Sequence, residues 1–276
     1  MGLRISTNVG SITAQRQLYK NQRRLEHAQT AMSSGKRIVA AADDAAGLAI
    51  SENIRGQVGG LKMAKQNALN AQSVIQVSEG GLNEISNILI RLRELGVQAA
   101  SDTVSEVERE FLDLEAQQLV EESERIAQST RFGNKVLLNG EDSEELEFHV
   151  GPFGGDENVV RANVSADATT STLGIDGISV SDKSGARDTL GAVDEALVHI
   201  GKMRADFGAV QSRLQMTNSN TEIQFENLSA AMSRIADADI AFESAEAASS
   251  SILQQASINV LAQANQNGMA ALKLIG

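Results

Sequence analysis

Asp43 and Asp44 stand side by side, and adjacent carboxylates are the pair from which general acid–base catalysis is commonly built. They open an Ala-rich stretch, however, where acids cap a helix start and favour the positive end of its dipole. A catalytic pair also needs a pocket and partner groups, and the surrounding residues offer none. His27, His149 and His199 are isolated in sequence, and no His-Glu-x-x-His pair exists to seat a zinc ion. They read as solvated or packing histidines. The chain has no Cys, which removes disulfides and thiolate metal sites. Gly59–Gly60 and Gly80–Gly81 fall inside a helical pattern, where each glycine costs about 1 kcal/mol against Ala. They form no phosphate loop, which needs a following Gly-Lys-Ser/Thr. Close packing of a neighbouring helix and local flexibility both account for them. No catalytic residue, cofactor or metal is expected, and the chain does not read as an enzyme.

If these residues do no chemistry, the elements that carry them must serve another end. The 276 residues allow one or two domains. Hydrophobic residues make up 42% and aromatics only 3%, with no Trp, so long helices packed through narrow seams are expected rather than a bulky core. The net charge of -12 argues against a phosphate-binding role, which needs a basic face, and so against nucleic-acid binding. Charge is unevenly spread. Basic residues dominate 1–42, residues 235–276 are weakly acidic, and the middle carries most of the negative charge. The segment MGLRISTNVGSITAQ lacks an apolar core and a cleavage signal, so no cleaved signal peptide is expected. Ala247–Leu272 is uncharged and long enough to cross a bilayer, but its many Asn and Gln amides would lack partners in lipid. It is expected to pack against neither lipid nor water.

Hydrophobic spacing places the elements. Ile5, Val9 and Ile12 form one stripe, and Leu18, Leu25 and Met32 recur at seven-residue steps, so an N-terminal helix is expected to end at the Ser-Ser-Gly of 33–35. Alternating steps of three and four from Ile54 reach Ala99, and every position except Gln57, Ser78 and Gly96 is Ala, Leu or Ile. That is a coiled-coil seam. Thr103 and Glu106 fit a capping box for a further helix whose apolar face would be Val104, Val107, Phe111 and Leu114. Residues 130–185 change texture, with turn signals in FGNKVLLNG and β-formers in ELEFHV and ENVVRANV. A second seam runs from Leu190 to Ile235, interrupted by Arg204, Gln211 and Asn218, polar positions that can fix register. The ADAD of 236–239 marks a second joint before the uncharged run.

The layout is nearly mirror-symmetric. It predicts a mainly α fold: a long antiparallel helical hairpin or coiled-coil bundle with a small β-hairpin region, and terminal helices paired as a coiled coil. The acids Glu141, Asp142, Glu144, Glu145, Glu147, Asp156 and Glu157 crowd the β region, and only Arg161 lies near them. They are expected to face solvent.

The stretches SSGKRIVAAADDAAGLAISENIRGQ, RLRELGVQAAS, TRFGNKVLLNG, SRIADADIAFESAE and ILQQASINVLAQANQ resemble bacterial flagellin, in flagellin order, over the first half of the chain and the last ninety or so residues. The middle departs, since many family members carry large outer domains there. The resemblance implies a self-assembling filament subunit for swimming motility. It places residues 1–42 and 235–276 in the inner tube (D0) and residues 43–234 in the helical shell (D1), with the β region at about 130–185. The inner-tube helices then carry Ile5, Val9, Ile12, Leu18, Leu25, Leu253, Ile258, Val260, Leu261, Leu272 and Leu274 as apolar assembly positions. Also implied are a homo-polymer outside the cell and export through the flagellar type III apparatus. A chaperone, a filament cap and hook-junction proteins are its implied partners. Arg91, Leu95 and Glu115 match the family's pattern for contact with the Toll-like receptor for flagellin and between subunits, while Ile90 stands where Gln is common. The alternative within the superfamily is a hook–filament junction protein. A soluble coiled-coil adaptor would carry charges on its exposed C-terminal helix, which this chain lacks.

Overall fold

The computed structural model describes residues 7–140, 145–162 and 166–273, with 267–273 as backbone alone. The chain falls into two compact units, residues 1–56 with 227–276, and residues 57–226.

In the first unit, α1 (Val9–Ser34) begins where the Asn8 side chain accepts from Ser11 N and ends where Gly35 turns left-handed at φ 67°, a conformation that glycine adopts without steric cost. α6 (Ile240–Lys273) starts under Asp239, whose Oδ1 accepts from Ala241 N at 2.9 Å and Phe242 N at 3.3 Å. The two helices lie antiparallel. Asn8 Nδ2 donates to Ala264 O at 2.8 Å, Asn21 Nδ2 to Ser257 Oγ at 3.1 Å, and Ser244 Oγ to Met32 Sδ at 3.4 Å. The two expected joints pair with each other. Arg37 N donates to Ala236 O at 2.8 Å, Ala238 N to Gly35 O at 3.0 Å, and the Arg37 guanidinium to Ile235 O at 2.7 Å. The terminal helices α1 and α6 therefore run side by side, as the symmetric layout predicts.

Two long helices supply most of the second unit. α2 (Ala45–Ala99) and α5 (Lys183–Ala236) run antiparallel there, with Lys65 Nζ 2.9 Å from Glu222, Arg204 3.9 Å from Glu79, and Arg93 2.7 Å from Asp194. From Leu61 to Ala99 every position of the expected α2 seam is buried. On α5, Val193, Ile200, Phe207, Leu214 and Thr221 are buried at seven-residue steps, and the intervening seam positions are half-buried as far as Asn218, while Phe225 is exposed. Asn218 Oδ1 is buried with no hydrogen-bond partner among the described residues.

The third helix of this unit differs from the sequence-based expectation in two ways. α3 (Glu106–Ser129) is capped by Ser105 and Glu108, not by Thr103 and Glu106. Its buried face is Ala116, Val120, Ser123 and Ala127, whereas Val107, Phe111 and Leu114 are exposed and Val104 is half-buried ahead of the helix. Both stripes have helical period, so periodicity alone could not choose between them. In the folded unit the stripe Ala116, Val120, Ser123 and Ala127 faces the interior, and Leu112 and Leu119 pack against the core beside it.

The β region holds β1 (Arg131–Phe132) paired antiparallel with β2 (Lys135–Val136), and β3 (Leu146–His149) paired antiparallel with β4 (Val159–Ala162). The following segment, with the one-turn α4 (Thr170–Leu173), is strapped down on α3. Glu124 accepts from Thr170 N and Oγ1, and Asp113 accepts from Ser179 Oγ and Val180 N. Of the acidic cluster, Glu145, Glu147, Asp156 and Glu157 are exposed as expected, with Arg161 reaching Glu147 at 2.8 Å, and Glu141, Asp142 and Glu144 lie outside the described residues.

Candidate functional site

The contact between α1 and α6 is made by small and polar residues. Ala14, Asn21 and Ala28 of α1 are buried and Leu18 and Leu25 half-buried; Ser250 and Glu243 of α6 are buried, with Ala247, Gln254, Ser257, Leu261 and Ala264 half-buried. Several large apolar side chains stay largely uncovered by it. Val9 is 54% exposed and Ile252 68%, and Ile12, Leu253, Ile258 and Val260 are also exposed. An isolated two-helix coil would do the reverse and place its Ile, Leu and Val in the seam. An open groove of about 470 Å³ between the helices is lined by apolar groups of Val9, Ala14, Leu253 and Val260. Ile5 and Leu274 lie outside the described residues, as does the side chain of Leu272. Such a surface holds no group that makes or breaks bonds. It can bury itself against other apolar surface. Among the described residues no helix is long and apolar enough to cross a membrane.

Arg91 sits in a different environment in the second unit. Its Nη2 lies 2.7 Å from Glu115 Oε1 across the α2–α3 boundary, and its Nη1 lies 3.0 Å from Glu94 Oε2. The Glu115 hydrogen bond raises the Arg91 pKa further above its ordinary value. Leu95 is fully buried in the core beside Leu92. The three residues singled out together from the sequence therefore divide into an exposed ion pair and one interior side chain.

The adjacent carboxylates are structural. Asp43 accepts from Ala40 N at 2.8 Å and Val39 N at 3.1 Å, and His27 Nε2 stands 3.4 Å away. The Ala40 amide chiefly, with Val39 and His27, holds the Asp43 carboxyl below its usual range against the opposing effect of desolvation. Asp44 Oδ1 accepts from Gly47 N at 2.8 Å at the start of α2. The His27–Asp43 contact escaped sequence reading because a helix end and a turn separate the two residues. His149 and His199 are exposed. Among the described residues no group of His, Asp and Glu could hold a metal ion.

The bacterial flagellin N-terminal helical region matches residues 5–143, and the flagellin C-terminal helical region matches residues 190–275. The chain belongs to the bacterial flagellin family. The flagellar filament core protein flaB2 of Brachyspira hyodysenteriae is 39% identical over 285 residues, covering 98% of this chain and 99% of that one. A flagellin of Halalkalibacterium halodurans is 39% identical over 271 residues, with the same coverage of each. The crystal structure of Bacillus cereus flagellin is 27% identical with a TM-score of 0.50, covering 56% of this chain and 88% of that one. Flagellins are structural proteins, and membership makes this chain a structural subunit of the flagellar filament rather than an enzyme. End-to-end likeness to filament proteins does not favour the hook–filament junction alternative.

Proposed function

We propose that α1 and α6, within residues 1–42 and 235–276, form the inner tube of a homopolymeric filament, and that residues 43–234 form the shell around it. One observation carries this reading: the α1–α6 pair exposes Val9, Ile12, Ile252, Leu253, Ile258 and Val260 while burying Ala, Asn and Ser. A monomer gains nothing from that arrangement, because its apolar surface stays in water. A tube of identical helices hides it. The missing charge on Ala247–Leu272 supports the same reading, since helical symmetry would stack any identical charge against its own copies.

By resemblance, the subunit leaves the cell through the flagellar type III apparatus without signal cleavage. It travels with an export chaperone and joins the filament beneath a cap, beyond the hook-junction proteins. The exposed Arg91–Glu115 pair is the part of the innate-receptor pattern that a soluble partner could reach, whereas Leu95 contributes through the core that positions it.

The test is deletion of residues 247–276, followed by seeding and electron microscopy. The expected result is a soluble protein that keeps its long helices by circular dichroism and forms no filaments. Ordinary filaments from the truncated chain would overturn the tube assignment.

A further inference from the structure

The turn between β3 and β4 is fastened to α2 and closed on itself. Asn67 Nδ2 donates to His149 O at 2.9 Å, Val150 N donates to Asn158 O at 2.7 Å, and a Cβ on Gly60 would stand 3.2 Å from Pro152 Cα. Two glycines of the turn make room for polar side chains. A Cβ on Gly151 would overlap the Asn158 amide, and one on Gly155 would overlap the Glu157 carboxylate, so both side chains fold back onto the turn. Asn158 Nδ2 donates to Glu157 Oε1 at 3.0 Å. Between this turn and α5 lies a cavity of about 230 Å³. Leu61, Val150 and Val160, all buried, give it an apolar floor. Arg213, Thr217, Asn220 and Gln224 line its α5 wall at the three- and four-residue spacing of one helix face. Arg213 and Glu157 are exposed at its rim. Among the described residues neither has an ion-pair partner, and they do not reach each other. The side-chain amides of Asn220 and Gln224 are likewise without partners among the described residues.

We propose that this cavity binds a free zwitterionic α-amino acid with a small side chain. The charges select the class. The Gly155 notch holds Glu157 apart from Arg213, so the two do not neutralise each other. A lone carboxylate would satisfy Arg213 and leave Glu157 facing a like charge, and a lone ammonium would fail at Arg213 in the same way. A ligand that carries both charges satisfies the two walls at once. Its carboxylate lies on the guanidinium, whose planar fork of donors matches carboxylate geometry. The remaining carboxylate lone pairs accept from Asn220 and Gln224, and the ammonium donates to Glu157. Only a small side chain fits over Leu61, Val150 and Val160, because the cavity is smaller than the roughly 300–1,000 Å³ of drug-sized ligand sites. The site is complete within one copy of the chain. A bound ligand would tie the β3–β4 turn to α5 and stabilise the second unit by mass action.

Isothermal titration calorimetry of the full-length monomer with L-alanine at neutral pH tests this, with acetate and methylammonium as single-charge probes. The expected result is saturable binding of L-alanine, with each single-charge probe weaker by about tenfold or more. Glu157→Gln should weaken L-alanine by about tenfold without weakening acetate, whereas Arg213→Gln should weaken both. Both side chains are exposed, so each variant should keep the wild-type circular dichroism spectrum. A titration with no saturable binding of L-alanine, acetate that binds as tightly as L-alanine, or wild-type affinity in both variants would overturn the site. The titration uses unpolymerised chain, so each of these outcomes leaves the filament reading standing.

Discussion

Gly81 lies so close to Leu138 that a Cβ built on it would stand 2.6 Å from Leu138 Cδ1 and 2.8 Å from Thr130 Oγ1. Its neighbour Gly80 has nothing within 4 Å of the same position. The pair thus separates the two explanations that the sequence left open. Gly81 is required by packing, and Gly80 is not.

Gly80→Ala is therefore expected to stabilise the protein by up to about 1 kcal/mol, the helix-propensity gain of Ala over Gly. Gly81→Ala gains the same propensity but overpacks the core, and should destabilise by about 1–3 kcal/mol. Urea unfolding followed by circular dichroism gives the comparison. Equal effects of the two substitutions would show that the close approach at Gly81 is not a constraint.

The cap of α3 gives a second contrast. Ser105 Oγ accepts from Glu108 N at 3.4 Å, and Glu108 Oε2 accepts from Ser105 N at 2.7 Å. Ser105→Ala should cost about 1 kcal/mol. Thr103→Ala, at the position the sequence pattern favoured, should lie within about 0.5 kcal/mol of the wild type. Thermal unfolding of the two variants decides which residue is the cap.

Asp43 links pH to the turn before α2. Its folded pKa is depressed, first by the Ala40 amide, so its stabilisation is complete above the unfolded value near 3.8 and is lost as pH falls through the lower folded value. The protection factors of the Val39 and Ala40 amides, corrected for the intrinsic pH dependence of exchange, should fall across that acidic window in the wild type. In Asp43→Asn they should be low and flat with pH. A wild-type profile without a transition below 3.8 would contradict the assignment.

Assembly should separate two alanines of α6. Ala262 is exposed, while Ala264 is half-buried and its carbonyl accepts from Asn8. Ala262→Glu should leave the α1–α6 pair formed in the monomer and block polymerisation, because each subunit would bury an unpaired carboxylate. Ala264→Glu should also weaken the pair itself, visible as faster exchange in α1. Ser171→Glu, a charge added at an exposed position of the 165–185 segment, should change neither. Filament yields that match the wild type for Ala262→Glu would mean that this face is not enclosed.

The sequence by itself determined the helices, the joints and the α2 seam. A run such as Leu61–Ala99 carries its period in residue types alone, and Gly35 and Asp239 mark ends through local backbone and capping chemistry that needs no distant partner. That the chain is a structural protein rather than an enzyme rests on its family. The tertiary structure decided what local signals leave degenerate. α3 carries two stripes of helical period, and only packing in the folded unit selected Ala116, Val120 and Ala127 over Val107, Phe111 and Leu114 for the interior. On α1, Ala14 and Asn21 are buried against α6, while Val9 only lines the open groove and Ile12 is exposed, since two backbones approach most closely where side chains are small. His27 and Asp43, and Gly81 and Leu138, meet only because the chain returns on itself, and that return is a property of the packed whole.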